Sequence, residues 1–213
     1  MSDHLKSIKN AVIGGKHAEI EGLVQQALDA GVDTGTIIND ALIAAMDVVG
    51  RNFGEGTIFV PEMLVSAMTM KSGLEVVKLR LAGNAIQSRG TILMATVKGD
   101  LHDIGKNLVS MMLEGAGFKV MDLGVDLSVE KLIEQVKALK PEILGLSALL
   151  TTTMPEMQKV IAELKRQGLR GKVKVLVGGA PVDRVFADKI GADGYGSNAA
   201  EAVELARRFA GAK

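Results

Sequence analysis

The residues best equipped for chemistry lie together in Lys98-Gly99-Asp100-Leu101-His102-Asp103-Ile104-Gly105-Lys106-Asn107. His102 stands between two carboxylates, with Asp100 before it and Asp103 directly after. A neutral imidazole is the commonest protein metal ligand, and a carboxylate on its second ring nitrogen fixes the tautomer and raises its basicity. Asp100 is placed to supply that carboxylate. A plainer account stays open here, in which the loop is simply solvated and Asp103 caps the following helix. A phosphate-binding loop is excluded. Gly99 and Gly105 are one residue too far apart for it, Asn107 stands where Ser or Thr would hold magnesium, and two aspartates would repel phosphate.

Such a loop needs a strand before it and a helix after it. Residues 91–97 form a short apolar run that reads as a buried strand, and Ile104, Leu108, Met111 and Met112 recur at helical spacing. His102 therefore falls on a strand-to-helix loop. In open α/β sheets, ligands bind beyond the carboxyl ends of the strands, where the strand order reverses.

Further strand-like runs at 118–123, 143–147 and 173–177 are separated by amphipathic stretches around 108–115, 129–139 and 157–167. A weaker pair near 193–195 and 199–209 ends the chain. Five βα units predict a flavodoxin- or Rossmann-like, doubly wound parallel sheet of order 2-1-3-4-5. Its switch point lies between strands one and three, bringing loop 100–105 beside Ser147-Ala148-Leu149-Leu150-Thr151-Thr152-Thr153. That hydroxyl run exceeds what a turn needs, although Thr153 could serve only to cap the helix at Pro155. Strand four ends in Gly178-Gly179, where paired glycines admit close backbone approach or make a plain tight turn.

Residues 1–88 carry helical periodicity and no convincing strand. Ile20, Leu23, Val24, Ala27 and Leu28 form one stripe, closed by Gly31. A second helix spans 36–53. A third starts at Pro61, carries Met63, Leu64, Ala67, Met68, Leu74, Val77 and Leu81, and fades at Gly83. With a short first helix around 5–12 this predicts a four-helix bundle. The polar, glycine-containing stretch 83–90 reads as a linker between a helical domain, 1–88, and an α/β domain, 89–213.

The composition narrows the function. The 213 residues carry 25 basic and 25 acidic side chains, so no long-range field gathers nucleic acid or anionic membrane. With no cysteine, a metal must use His and carboxylates or arrive inside a cofactor, and only His4, His17 and His102 are present. Tryptophan is absent and aromatics make up 3%, which leaves little for stacking on single-stranded nucleic acid. The N-terminus has no secretory apolar run, and no stretch approaches the ~18 apolar residues of a membrane span. A cytoplasmic protein is expected.

Taken in order, Asp100-x-His102-x-x-Gly105, Ser147-x-Leu149 with its threonine run, and Gly178-Gly179, all behind a helical bundle, resemble the cobalamin-binding region of the corrinoid methyltransferase family. Methionine synthase shares that region. The resemblance covers essentially the whole chain and is closer to the small stand-alone corrinoid proteins of anaerobic methyltransferase systems for methylamines, methoxyaromatics, betaines and methanol.

The resemblance implies a cobalamin or related corrinoid cofactor, with His102 as the lower axial ligand to cobalt in place of dimethylbenzimidazole. Asp100 would bond the other ring nitrogen and Thr153 would complete a relay. Asp103, Ile104, Gly105 and Thr151 would also contact the cofactor. Ser147, Leu149, Gly178 and Gly179 would line the slot for its nucleotide tail, with Tyr195, Ser197 and Ala199 near the end. Phe59 would cap the methyl-bearing face, unless it is an ordinary bundle-core aromatic.

The function so implied is a one-carbon carrier. It shuttles a methyl group as methyl-cobalt(III) from a substrate:corrinoid methyltransferase to an acceptor methyltransferase using tetrahydrofolate or coenzyme M, with a reductive activation protein as further partner. Alone it would be catalytically silent, for it shows no acid, base or zinc site to activate a donor or a thiol. The competing expectations are an adenosylcobalamin mutase subunit, a cobalamin-dependent sensor and a cofactor-free signalling module. A mutase subunit would not need the bundle, a sensor of this kind would carry a bundle tryptophan and a DNA-binding domain, and a signalling module leaves the hydroxyl run unexplained.

Overall fold

Capping chemistry starts the helical half. In the computed structural model, which describes residues 2–80 and 88–211, Ser2 accepts the Leu5 N–H at the head of α1 (Asp3–Ile13). Helix α2 (His17–Asp29) follows. Asp33 then accepts the Thr36 N–H at the head of α3 (Thr34–Thr36). Helix α3 runs without a break into a π-helical segment (Ile37–Ile43) and α4 (Ala44–Gly54). Where periodicity predicts one helix over 36–53, the chain forms one helical rod with a wider middle. Apolar spacing does not register that change, because Ile37, Ile38, Ala41 and Leu42 stay buried through it.

Helix α5 (Val60–Arg80) carries Pro61 in its first turn, and Glu62 reaches back to accept the Phe59 N–H at 2.7 Å. Ile8, Val12, Ile20, Val24, Leu42, Val49, Met63 and Val77 are buried in this half. A Cβ at Gly73 would lie 3.0 Å from Ile20 and 3.1 Å from Leu42, so glycine lets α5 come close to its neighbours there. The expected helix end at Leu81 to Gly83, and the linker over 83–87, lie outside the described residues.

The second half alternates β1 (Thr91–Thr96), α6 (Ile104–Gly115), β2 (Lys119–Asp122), α7 (Val129–Leu139), β3 (Ile143–Ser147), α8 (Met154–Arg166), β4 (Lys174–Gly178), α9 (Arg184–Ile190), β5 (Gly194–Tyr195) and α10 (Ala199–Gly211). The strands form one parallel sheet of order β2-β1-β3-β4-β5, as the pattern predicts. Leu93, Ala95, Val97, Leu144, Leu146, Val175 and Val177 point to one face. There they pack with Leu132, Val136, Met157, Ile161 and Ile190 from α7, α8 and α9. Gly194 lies against Leu176 and Leu205, so α10 covers the opposite face. The chain divides into two compact units, the first holding the helical half with residues 115–117 and the second the remainder of the α/β half.

Two differences from the periodicity are informative. Helix α6 begins at Ile104, the first residue of its apolar period, rather than near Leu108, and its first turn stands off the core with Ile104 and Gly105 exposed. Helix α9, unforeseen, has 7 residues, too few for a period to repeat; Asp183 caps it and Gly191 ends it in the left-handed region.

Candidate functional site

Register brings the chemistry together. Thr96 pairs with Ser147, and Ser147 with Gly178, so β1, β3 and β4 end level and their loops are neighbours. Asp100, from the β1 loop, is fully buried. Its Oδ1 accepts the His102 backbone N–H at 3.1 Å and lies 2.8 Å from His102 Nδ1. Its Oδ2 accepts the Leu149 N–H at 2.7 Å and the Thr153 hydroxyl at 2.8 Å.

Burial alone would raise the Asp100 pKa. The donors from Leu149, from the ring and backbone of His102, and from Thr153 together outweigh that cost and hold the carboxyl well below the usual range. An ionised carboxylate only accepts, so Nδ1 carries the hydrogen and the lone pair of the neutral ring is on Nε2. The His102 side chain is 52% exposed, which leaves that lone pair open to a ligand.

Thr153 sits at the head of α8 but makes no side-chain cap there, so the capping account of this residue is set aside. Its hydroxyl is also 2.9 Å from the Leu150 carbonyl, giving one hydrogen two acceptors. Asp103 accepts from Asn107 Nδ2 at 3.1 Å. Ile104 and Leu101 are 86% and 72% exposed, and Leu149 and Leu150 41% each. A polar nitrogen set among exposed apolar side chains suits a large, mostly apolar ligand with one coordinating atom. Gly105 and Thr151 are also exposed, and Thr151 stays outside the Asp100 network.

On the β4 side the backbones nearly touch. A Cβ at Gly179 would lie 1.8 Å from the Ala148 carbonyl oxygen, and its φ of +129° already favours glycine. A Cβ at Gly178 would lie 3.1 Å from the Gly196 oxygen. Tyr195 ends β5 with the Arg184 guanidinium 5.9 Å from its ring centre. Ser197 donates to Glu201 at 2.6 Å, and Ala199 is buried at the head of α10. Phe59 belongs to the helical unit and is 69% exposed, so it is not a bundle-core aromatic.

Three partners escaped sequence reasoning. Buried Thr96 donates its hydroxyl to the His102 carbonyl at 2.9 Å. Asp126, after β2, accepts the Gly99 N–H at 2.7 Å and donates its own N–H to the Asp100 carbonyl at 3.0 Å. Lys106, at the P-loop-like position, is buried and pairs with Asp122. Gly124 marks the turn that carries Asp126, but nothing in the sequence singles out Thr96.

Comparison with known proteins identifies the family. The family described as "B12 binding domain" matches residues 90–204, and a second of the same description matches residues 4–78. A corrinoid protein of Desulfitobacterium hafniense is 40% identical over 97% of both chains. Trimethylamine corrinoid protein 2 of Methanosarcina mazei is 45% identical over 85% of this chain and 84% of its own. The solved methanol:cobalamin methyltransferase complex from Methanosarcina barkeri contains a chain with a TM-score of 0.89 and 34% identity, covering 100% of this chain and 81% of that one.

Fold and site thus define a B12-binding protein. More narrowly, the chain belongs to the family of corrinoid proteins of methyltransferase systems. Its cofactor is a corrinoid. The residues present fit that group. Among the described residues no set of three or more His, Asp or Glu could hold a metal ion. A single imidazole nitrogen instead suits a metal that arrives with its other positions already filled. Among the described residues, no helix is long and apolar enough to cross a membrane.

Proposed function

We propose that this chain carries a methyl group on corrinoid cobalt, with His102 Nε2 as the protein ligand to that metal. The observation that carries the reading is the 2.8 Å contact between His102 Nδ1 and a buried, ionised Asp100, which leaves the lone pair on Nε2 of a half-exposed ring. When bound, the cobalt supplies the chemistry of accepting a methyl group and giving it up. The chain holds and orients. Asp100 keeps the ring in one tautomer, and Thr153 can turn its hydrogen toward Asp100 or toward the Leu150 carbonyl as the ring engages or disengages.

Asp103, Ile104, Gly105 and Thr151 line the exposed face around His102. Ser147, Leu149, Gly178, Gly179, Tyr195, Ser197 and Ala199 take the nucleotide tail, with the two glycines letting the β4 loop close against its neighbours. Residues 1–88 act as a cap, with Phe59 excluding water above the cofactor, and residues 89–213 are the cofactor domain. The partners are a substrate:corrinoid methyltransferase, an acceptor methyltransferase using tetrahydrofolate or coenzyme M, and a reductive activation protein in the cytoplasm. Relatives named for trimethylamine and a neighbour from a methanol:cobalamin methyltransferase complex support the carrier reading.

Electron paramagnetic resonance of the cobalt(II) form, with nitrogen-15 histidine, tests it. Coupling to one histidine nitrogen that disappears in His102→Ala is the expected result, and coupling to the cofactor's own base overturns the ligand assignment. Loaded protein alone should turn over no methyl donor, and methyl transfer should begin once a cognate methyltransferase is added.

A further inference from the structure

The β1 loop is gripped from both neighbouring strands. From the β3 side, Leu149 and Thr153 hold the Asp100 carboxylate. From the β2 side, Asp126 holds the backbone: its carboxylate accepts the Gly99 N–H at 2.7 Å, and its N–H donates to the Asp100 carbonyl at 3.0 Å. These contacts fall on consecutive residues, so the loop is fixed in direction as well as position. Asp126 makes them from φ +55°, a left-handed conformation that non-glycine residues rarely adopt. The turn is itself tied down. Asp122 accepts the Gly124 N–H at 2.9 Å and pairs with buried Lys106, the Gly124 carbonyl accepts the Thr96 N–H at 3.0 Å, and Leu127 bonds Thr96 at 3.1 Å. A strained residue with two bonds to the ligand loop, on a braced turn, is built to hold something in place.

We propose that Asp126 is a positioning residue for His102, and that its grip on Gly99 and Asp100 sets how readily the His102 ring reaches a metal. The inference rests on the reading of His102 as the cobalt ligand. Without Asp126 the Asp100 carboxylate keeps its donors, but the backbone carrying it is free to tilt. The ring then keeps its tautomer and loses its aim. The effect is read in the equilibrium between ring on and ring off the metal.

The test compares Asp126→Gly with Asp126→Asn in the full chain loaded with cob(II)alamin. Glycine accepts the left-handed backbone but has no acceptor for Gly99; asparagine tolerates that backbone and keeps an acceptor oxygen. In Asp126→Gly the ratio of histidine-on to histidine-off signal should fall about tenfold, the worth of one lost hydrogen bond to a charged group. In Asp126→Asn it should stay within about twofold. In the unloaded chain, amide exchange at Gly99 should quicken about tenfold in Asp126→Gly alone. If the unmodified protein shows no histidine coupling, the ligand reading itself fails. If coupling is present and Asp126→Gly keeps the unmodified ratio, the positioning role is wrong and Asp126 serves only the turn.

Discussion

Asp100→Asn removes the charge that four donors converge on. The carboxylate is buried and saturated, with two donors on each oxygen. Asparagine offers one acceptor oxygen and one NH2. With the oxygen toward Leu149 and Thr153, the NH2 faces the His102 backbone N–H, and the ring must move its hydrogen to Nε2 to accept at Nδ1. With the oxygen toward His102, the NH2 faces the Leu149 N–H, while Thr153 turns its hydrogen to Leu150 and accepts. Either way one backbone N–H loses its acceptor at the buried side chain and the charge-assisted bonds are gone, a cost of about 2–4 kcal/mol at neutral pH.

The chain's sole tyrosine, Tyr195, lies in β5, so tyrosine fluorescence during urea unfolding reports the α/β unit, while far-ultraviolet circular dichroism reports both halves. The pH dependence has a definite sign. The folded pKa of Asp100 is depressed, so its contribution is fully present above the ordinary carboxylate range and is lost as pH falls toward the folded value. The gap between the two proteins should stay level from about pH 7 to about pH 5 and narrow only below about pH 4. A gap under about 1 kcal/mol, or one that closes already between about pH 7 and 5, would refute the argument that a saturated carboxylate anchors this loop.

Other substitutions test other contacts. Thr153→Val should cost about 1 kcal/mol in the same urea assay, and Thr153→Ser, which keeps the hydroxyl, less than half of that. Gly179→Ala places a Cβ on the Ala148 carbonyl and should abolish retention of corrinoid absorbance through gel filtration; co-elution at the unmodified level would show that the β3 and β4 loops can part. Phe59→Ala removes an exposed ring, so stability should change by under about 0.5 kcal/mol. Photolysis of bound methylcobalamin should nevertheless quicken, and an unchanged rate would deny Phe59 a capping role.

What the sequence determined by itself was carried by local physics. Strand and helix periods separate the two halves, the βα alternation predicts a parallel sheet of the kind with order 2-1-3-4-5, and Asp100-x-His102 stands out as an imidazole with a carboxylate for its second nitrogen, whereas only the family resemblance picks Thr153 out of its run of hydroxyls. Short or wider helical pieces escaped for the same reason: α9 is too brief to repeat a period, and the π-helical segment keeps the burial of an α-helix. What only the tertiary structure decided is who touches whom across strands. Thr153 bonds Asp100 because β1 and β3 end level, 53 residues apart in sequence. Asp126 reaches Gly99 because the β2 turn folds back beside the β1 loop. A hydroxyl or carboxylate in a loop looks the same in sequence whether it meets water or a buried donor. The pairing of distant strand ends is what decides between them.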